Sequence, residues 1–152
     1  MMGDRKPIVV VSTPFEERGG QFSPDGRWVA YQSNESGRFE IYVQPFPGPG
    51  GKWQASTAGG VHPRWRPDGK ELFFLAPDAK LMAAPVRVSD STFDAGSLAS
   101  LFQTRTVTGG SADLTPQYAV SRDGRFLFNV PDDTSTAAPI TVVLNWTQGL
   151  EP

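Results

Sequence analysis

His62 is the only histidine in a chain of 152 residues that contains no cysteine. Acid–base or nucleophilic chemistry near neutral pH therefore has one imidazole and no thiol to draw on. A Ser-His-Asp triad would have to use His62, and no Gly-x-Ser-x-Gly elbow is present to hold its nucleophile. A lone histidine without a neighbouring carboxylate or thiolate is a poor ligand set, so neither a metal nor a cofactor is expected. Three carboxylates do recur, Asp25, Asp68 and Asp123, each followed by a glycine. Their recurrence assigns them to turns and not to a shared catalytic or calcium site, since each belongs to its own repeat. The remaining polar candidates precede these turns: Glu16, Glu17 and Arg18 before the first, His62, Arg64 and Arg66 before the second, Gln117 before the third.

The elements that must position these residues follow from a repeat. The first copy is Phe22-Ser23-Pro24-Asp25-Gly26-Arg27-Trp28-Val29-Ala30-Tyr31, and the second is Trp65-Arg66-Pro67-Asp68-Gly69-Lys70-Glu71-Leu72-Phe73-Phe74. The third is Val120-Ser121-Arg122-Asp123-Gly124-Arg125-Phe126-Leu127-Phe128-Asn129. Aligned on the aspartates without a gap, the copies are 43 residues apart from Asp25 to Asp68 and 55 from Asp68 to Asp123. Pro24 and Pro67 preset φ at the first corner of a turn, and Gly26, Gly69 and Gly124 accept positive φ. The aspartate side chains accept turn amides. Each copy is thus a hairpin with one strand entering and one leaving.

A third β-prone segment follows each hairpin, at 39–43, 81–88 and 140–146, and a fourth follows two of them, at 53–57 and 98–104. Four antiparallel strands repeating at this period are the signature of a β-propeller blade. Residues 6–13 add a lone β-prone segment, placed as an outer closing strand. The expected organisation is all-β, a single propeller segment over 1–152. Blade one takes 19–57, blade two 61–104, a long loop 105–116, and the three strands of blade three 117–146. Three four-stranded blades would be half of a six-bladed ring. The loop 45–51, rich in proline and glycine, connects two strands and leads into no helix, so it lacks the dipole of a phosphate cradle. Trp28 and Trp65 are expected between blades, Trp53 and Trp146 nearer the outside.

The run from Phe22 to Tyr31, followed by Glu40-Ile41-Tyr42-Val43, resembles the TolB-like, WD-repeat-like propeller family. The wider stretch 13–146 is similar to the C-terminal propeller segment of bacterial receptor-like serine/threonine protein kinases. In such proteins a cytoplasmic kinase domain and a membrane helix precede an extracytoplasmic propeller that senses or binds. The resemblance implies a scaffold for partner binding and a location on the periplasmic side. It implies no kinase activity, because the glycine-rich loop, His-Arg-Asp and Asp-Phe-Gly motifs do not occur. Family members usually carry about six blades against three in this chain. Met1-Met2-Gly3 reads as an expression start, which fits a piece of a longer protein.

With 14 basic and 16 acidic residues the net charge is −2, and no cluster of Lys or Arg offers a nucleic-acid footprint. The longest aliphatic run, 8–11, is too short to insert into a bilayer. The expected function is a non-catalytic ligand- or protein-binding propeller, its weak ligand site at the channel mouth. The alternatives are an accessory propeller of a prolyl-oligopeptidase-like hydrolase and a half-propeller without ligand function. His62 is expected on a solvated loop. Because three blades cannot close a ring, a homodimer is expected, each junction closed by the 8–12 strand of the opposite chain.

Overall fold

The computed structural model describes residues 6–89, 92–107, 115–131 and 140–143, the last as strand backbone. All regular structure among these residues is β. The first sheet is an antiparallel meander of β1 (Glu17–Phe22), β2 (Trp28–Ser33), β3 (Glu40–Pro45) and β4 (Trp53–Gln54). The second contains β5 (Val61–Trp65), β6 (Glu71–Leu75), β7 (Lys80–Ser89), β8 (Thr92–Ala95) and β9 (Ala99–Gln103). The third contains β10 (Tyr118–Val120), β11 (Phe126–Asn129) and β12 (Ile140–Val143).

Among the described residues the sheets therefore hold four, five and three strands, and not three sets of four. The difference in the second sheet comes from β7, which is long enough to take two outer partners in succession. Its first half pairs with β9 from Lys80 to Ala83, and its second half pairs with β8 from Val86 to Ser89. Phe93, the one aromatic of the polar stretch 89–96, supplies the reason: it turns inward and is buried among Trp28, Trp53 and Trp65. The expected fourth strand 53–57 is shortened to Trp53–Gln54, after which Ser56 serves the chain differently, as described below. Trp146 and most of the loop 105–116 lie outside the described residues.

Among the described residues, 6–13 pair with no strand of this chain. They lie over the face of the first sheet, not beside an edge that could extend a ladder. Gln44 Nε2 donates to the Val10 carbonyl at 2.5 Å, and Val10 and Val11 line one cavity with Gly20, Phe22 and Val29.

The three turns are closed alike, with Gly26 N donating to Ser23 O at 2.9 Å, Gly69 N to Arg66 O at 2.8 Å and Gly124 N to Ser121 O at 3.0 Å. All three glycines have positive φ, 71°, 74° and 83°. The third hairpin is nonetheless one residue shorter. Phe22 pairs with Val29 and Trp65 with Leu72, whereas Val120 pairs with Phe126. The ungapped alignment of the third copy is therefore off by one beyond the turn: Phe126 stands where Val29 and Leu72 stand, and Leu127 where Ala30 and Phe73 stand. Because side chains alternate, this single residue decides which face of β11 is buried.

Two cores separate the sheets. Trp28, Ala30, Ile41 and Val43 of the first sheet meet Leu72, Phe74, Ala84 and Phe93 of the second. Phe73, Leu75, Leu81 and Ala83, on the other face of the second sheet, meet Tyr118, Phe126 and Phe128 of the third. The continuous apolar run of β6 is explained by burial on both faces.

Candidate functional site

The first strands of the sheets are neighbours, β1 beside β5 and β5 beside β10. Counting six residues back from each turn aspartate gives Gly19 in β1, His62 in β5 and Gln117 immediately before β10, one repeat position at three adjacent strands. The ladder is broken there in the first two sheets, between Arg18 and Gln21 in β1 and between Val61 and Arg64 in β5. Such bulges bend a strand and turn backbone groups away from its partner. Pro63, which has no N–H to offer a ladder, is accommodated by this bulge. Gly19 adopts φ 66° and His62 φ 56°, the second a conformation that a side chain rarely takes.

His62 is 4% exposed, so its expected place on a solvated loop is corrected. The bulge swings its main-chain N–H out of β5 and onto Oε1 of Gln32, in β2 of the preceding sheet, at 2.8 Å. Gln32 is fully buried, and its Nε2 has no hydrogen-bond partner among the described residues. Tyr118, next to Gln117 in β10, is also buried with an unpartnered hydroxyl. Burial pushes its phenol well above the ordinary tyrosine range, opposed only partly by the Arg64 guanidinium, so it stays a neutral donor. Arg64 spans this junction, its Cζ 5.9 Å from the Tyr118 ring centroid and its Nη1 donating to Pro63 O at 2.8 Å. Gln117 Nε2 donates to Thr115 O at 3.1 Å.

Arg18 lies at the same end of β1, paired with Glu16 and stacked 5.0 Å over Phe39. Glu16 N donates to Asn34 Oδ1 at 3.0 Å, and Glu17 pairs in register with Ser33. Arg66 does not join them. It sits at the turn end of β5, bonded to Glu71 Oε2 at 2.6 Å and near Asp68 Oδ2 at 3.3 Å. The turn aspartates are at that end too: Asp25 Oδ1 accepts from Arg27 N at 3.1 Å and Asp68 Oδ1 from Lys70 N at 3.0 Å. Ser121 donates its hydroxyl to Asp123.

No protein-family model matches the chain. It is 30% identical over 89 residues to the uncharacterized protein Atu1656 of Agrobacterium fabrum, a match covering 55% of this chain and 30% of that protein. Among solved structures it resembles a putative 6-phosphogluconolactonase from Bacteroides uniformis, with a TM-score of 0.52 at 15% identity, over 86% of this chain and 40% of the other. TolB from Acinetobacter baumannii aligns with a TM-score of 0.42 at 17% identity, over 88% of this chain and 44% of that one. The chain spans less than half the length of each of these proteins. The Bacteroides structure shares the fold, and at such identity fold alone is what it shares.

One polar constellation escapes sequence reading. Glu40, at the start of β3, is 1% exposed. Its Oε1 accepts from Arg38 Nε at 2.9 Å and from Gly59 N at 2.8 Å, and its Oε2 accepts the Ser56 hydroxyl. Ser56 Oγ in turn accepts Ile41 N at 2.8 Å. With every oxygen engaged this carboxylate is a fastener: it ties β3 to the chain that leads into β5 and so sets where His62 begins. Nothing in the spacing of Glu40, Ser56 and Gly59 marks them, since the partners come from different segments.

Proposed function

We propose that the three sheets are consecutive blades of a β-propeller and that the chain is a non-catalytic module binding a protein or peptide where β1, β5 and β10 converge. The reading rests on Gly19, His62 and Gln117 standing at one repeat position at adjacent strands, beside the unpartnered buried groups of Gln32 and Tyr118. A peptide offers carbonyl oxygens to such donors and carboxylates to Arg18 and Arg64. By analogy with receptor-like kinases, the module is the extracytoplasmic sensing part of a longer protein. A prolyl-oligopeptidase-like parent is the alternative, and the domain adjoining this segment in the full-length protein separates the two.

Calorimetric titration with a panel of short acidic and neutral peptides tests the reading. Saturable binding is expected, weakened about tenfold or more by Arg64→Ala, which is about 1.4 kcal/mol. Arg66→Ala, just past the opposite end of β5, leaves it unchanged. Absence of saturable binding, or equal loss in the two variants, overturns the site. Hydrolysis of a sugar lactone by the pure protein, abolished by His62→Ala, overturns the non-catalytic assignment.

A further inference from the structure

The two junctions between sheets are made by the same repeat positions, and the outer faces of the stack carry the two halves of a third junction. On its leading side each sheet presents the residue three before the turn aspartate. In the second sheet this is Trp65, 8% exposed because the first sheet covers it, with Nε1 donating to Gln21 O at 3.1 Å. In the first sheet the same position is Phe22, 56% exposed, with the Phe46 ring 4.9 Å away. On its trailing side each sheet presents the residue that follows the ladder partner of the leading one, that is, the residue after Val29, Leu72 or Phe126. Ala30 does so toward the second sheet, and Phe73 toward the third, where its ring lies 4.9 Å from that of Phe126. Leu127 holds this position in the third sheet and is 38% exposed.

We infer that a second copy of the chain completes both faces, the third sheet of each copy packing on the first sheet of the other with Leu127 against Val29. The inference rests on the propeller reading. The halves belong to sheets separated by the whole second sheet, so they cannot meet within one chain. A contact between two different surfaces closes only if the copies form a ring. Two copies place six sheets around the axis, within the range of about four to eight that propellers use. The polar bond of the first junction has its counterpart as well. Asn129 and Gly19 hold the positions of Gln32 and His62, so Gly19 N of one copy is the expected donor to the Asn129 side-chain oxygen of the other. Gly19 already has the positive φ that His62 shows at the existing junction. The segment carrying Val10 and Val11, which lines a cavity of about 300 Å³ together with Phe22 and Val29 of this face, shifts aside when the sheet arrives.

Light scattering and sedimentation of the full chain across a concentration series test this. The expected mass at high concentration is twice the 16.5 kDa of one chain. Phe22→Asp and Leu127→Asp alter exposed side chains and should each reduce the mass to that of a monomer, with the circular dichroism spectrum unchanged. An equimolar mixture of the two variants should recover a dimer, because one of its two junctions then has both halves intact. A wild-type monomer at every concentration, a dimer that survives both substitutions, or variants that fail to complement each other overturns the inference. A monomer that still binds peptide overturns the pairing alone, whereas a dimer without peptide binding overturns only the ligand site.

Discussion

Gln32 Oε1 accepts the main-chain N–H of His62 at 2.8 Å, one buried hydrogen bond joining the second strand of one sheet to the first strand of the next. The register of β5 against β6 shifts between Val61 and Arg64, where His62 lies. Gln32→Leu removes the side-chain acceptor of that buried N–H, a loss of about 1–3 kcal/mol. The urea midpoint should fall accordingly with an unchanged slope. No change would mean that the N–H has another acceptor.

The Glu40 network should be more sensitive. Glu40→Ala strands the Gly59 amide and the Ser56 hydroxyl in the interior, at about 1–3 kcal/mol for each buried donor. Ser56→Ala removes the acceptor of Ile41 N while leaving Glu40 with Arg38 and Gly59, and should cost less. Thermal unfolding of the two variants checks the order, and a reversal would place the principal tie at Ser56.

Turn geometry is tested at Gly26, Gly69 and Gly124. Nothing lies within 4 Å of a Cβ built on Gly26 or Gly124, so substitution there isolates the backbone conformation from any clash. Valine at either position should lower stability by about 1–3 kcal/mol through positive φ alone. Unaltered melting temperatures would exclude the left-handed conformation.

Acid sensitivity follows from the same turns. The Ser23 hydroxyl bonded to Asp25, and that of Ser121 bonded to Asp123 with help from Arg125, hold both carboxyls below the usual aspartate range. A folded-state pKa below the unfolded one contributes stability above the unfolded value and loses it as pH falls through the folded value. The melting temperature should therefore decline below about pH 4. The Asp25→Asn, Asp123→Asn double variant should show a shallower decline, and parallel curves would remove these carboxyls as the cause.

Much of the architecture is written locally. An Asp-Gly pair, behind a proline in two of the three copies, specifies a turn with few competitors, and alternating apolar residues on either side specify strands, so the three hairpins around Asp25, Asp68 and Asp123 are legible from the chain alone. Strand existence is a property of short windows, and short windows are what a sequence displays. The shortened third hairpin was not legible, because an extra or missing residue beside a turn leaves composition and periodicity nearly unaltered. Only the ladder, with Val120 opposite Phe126, reveals it. The strand at Thr92–Ala95 was hidden for a related reason: its one anchor, Phe93, becomes informative only once Trp28, Trp53 and Trp65 are seen around it.

The candidate site divides the same way. Sequence by itself determined that the chemistry is narrow, with one imidazole and no thiol, and that polar residues cluster ahead of each turn. Tertiary structure decided which of them meet. Arg64 in β5 and Arg66 just past its end are two residues apart, yet the first reaches Tyr118 and the second turns back to Glu71, because a bulge and a hairpin turn impose different surroundings. His62 reads as a loop residue until the neighbouring sheet supplies Gln32. Nothing beside Glu40 in the sequence marks it for burial, and Arg38, Ser56 and Gly59 close around it only in the fold. Burial and hydrogen-bond partnership are properties of segments brought together from far along the chain, and no local pattern carries them.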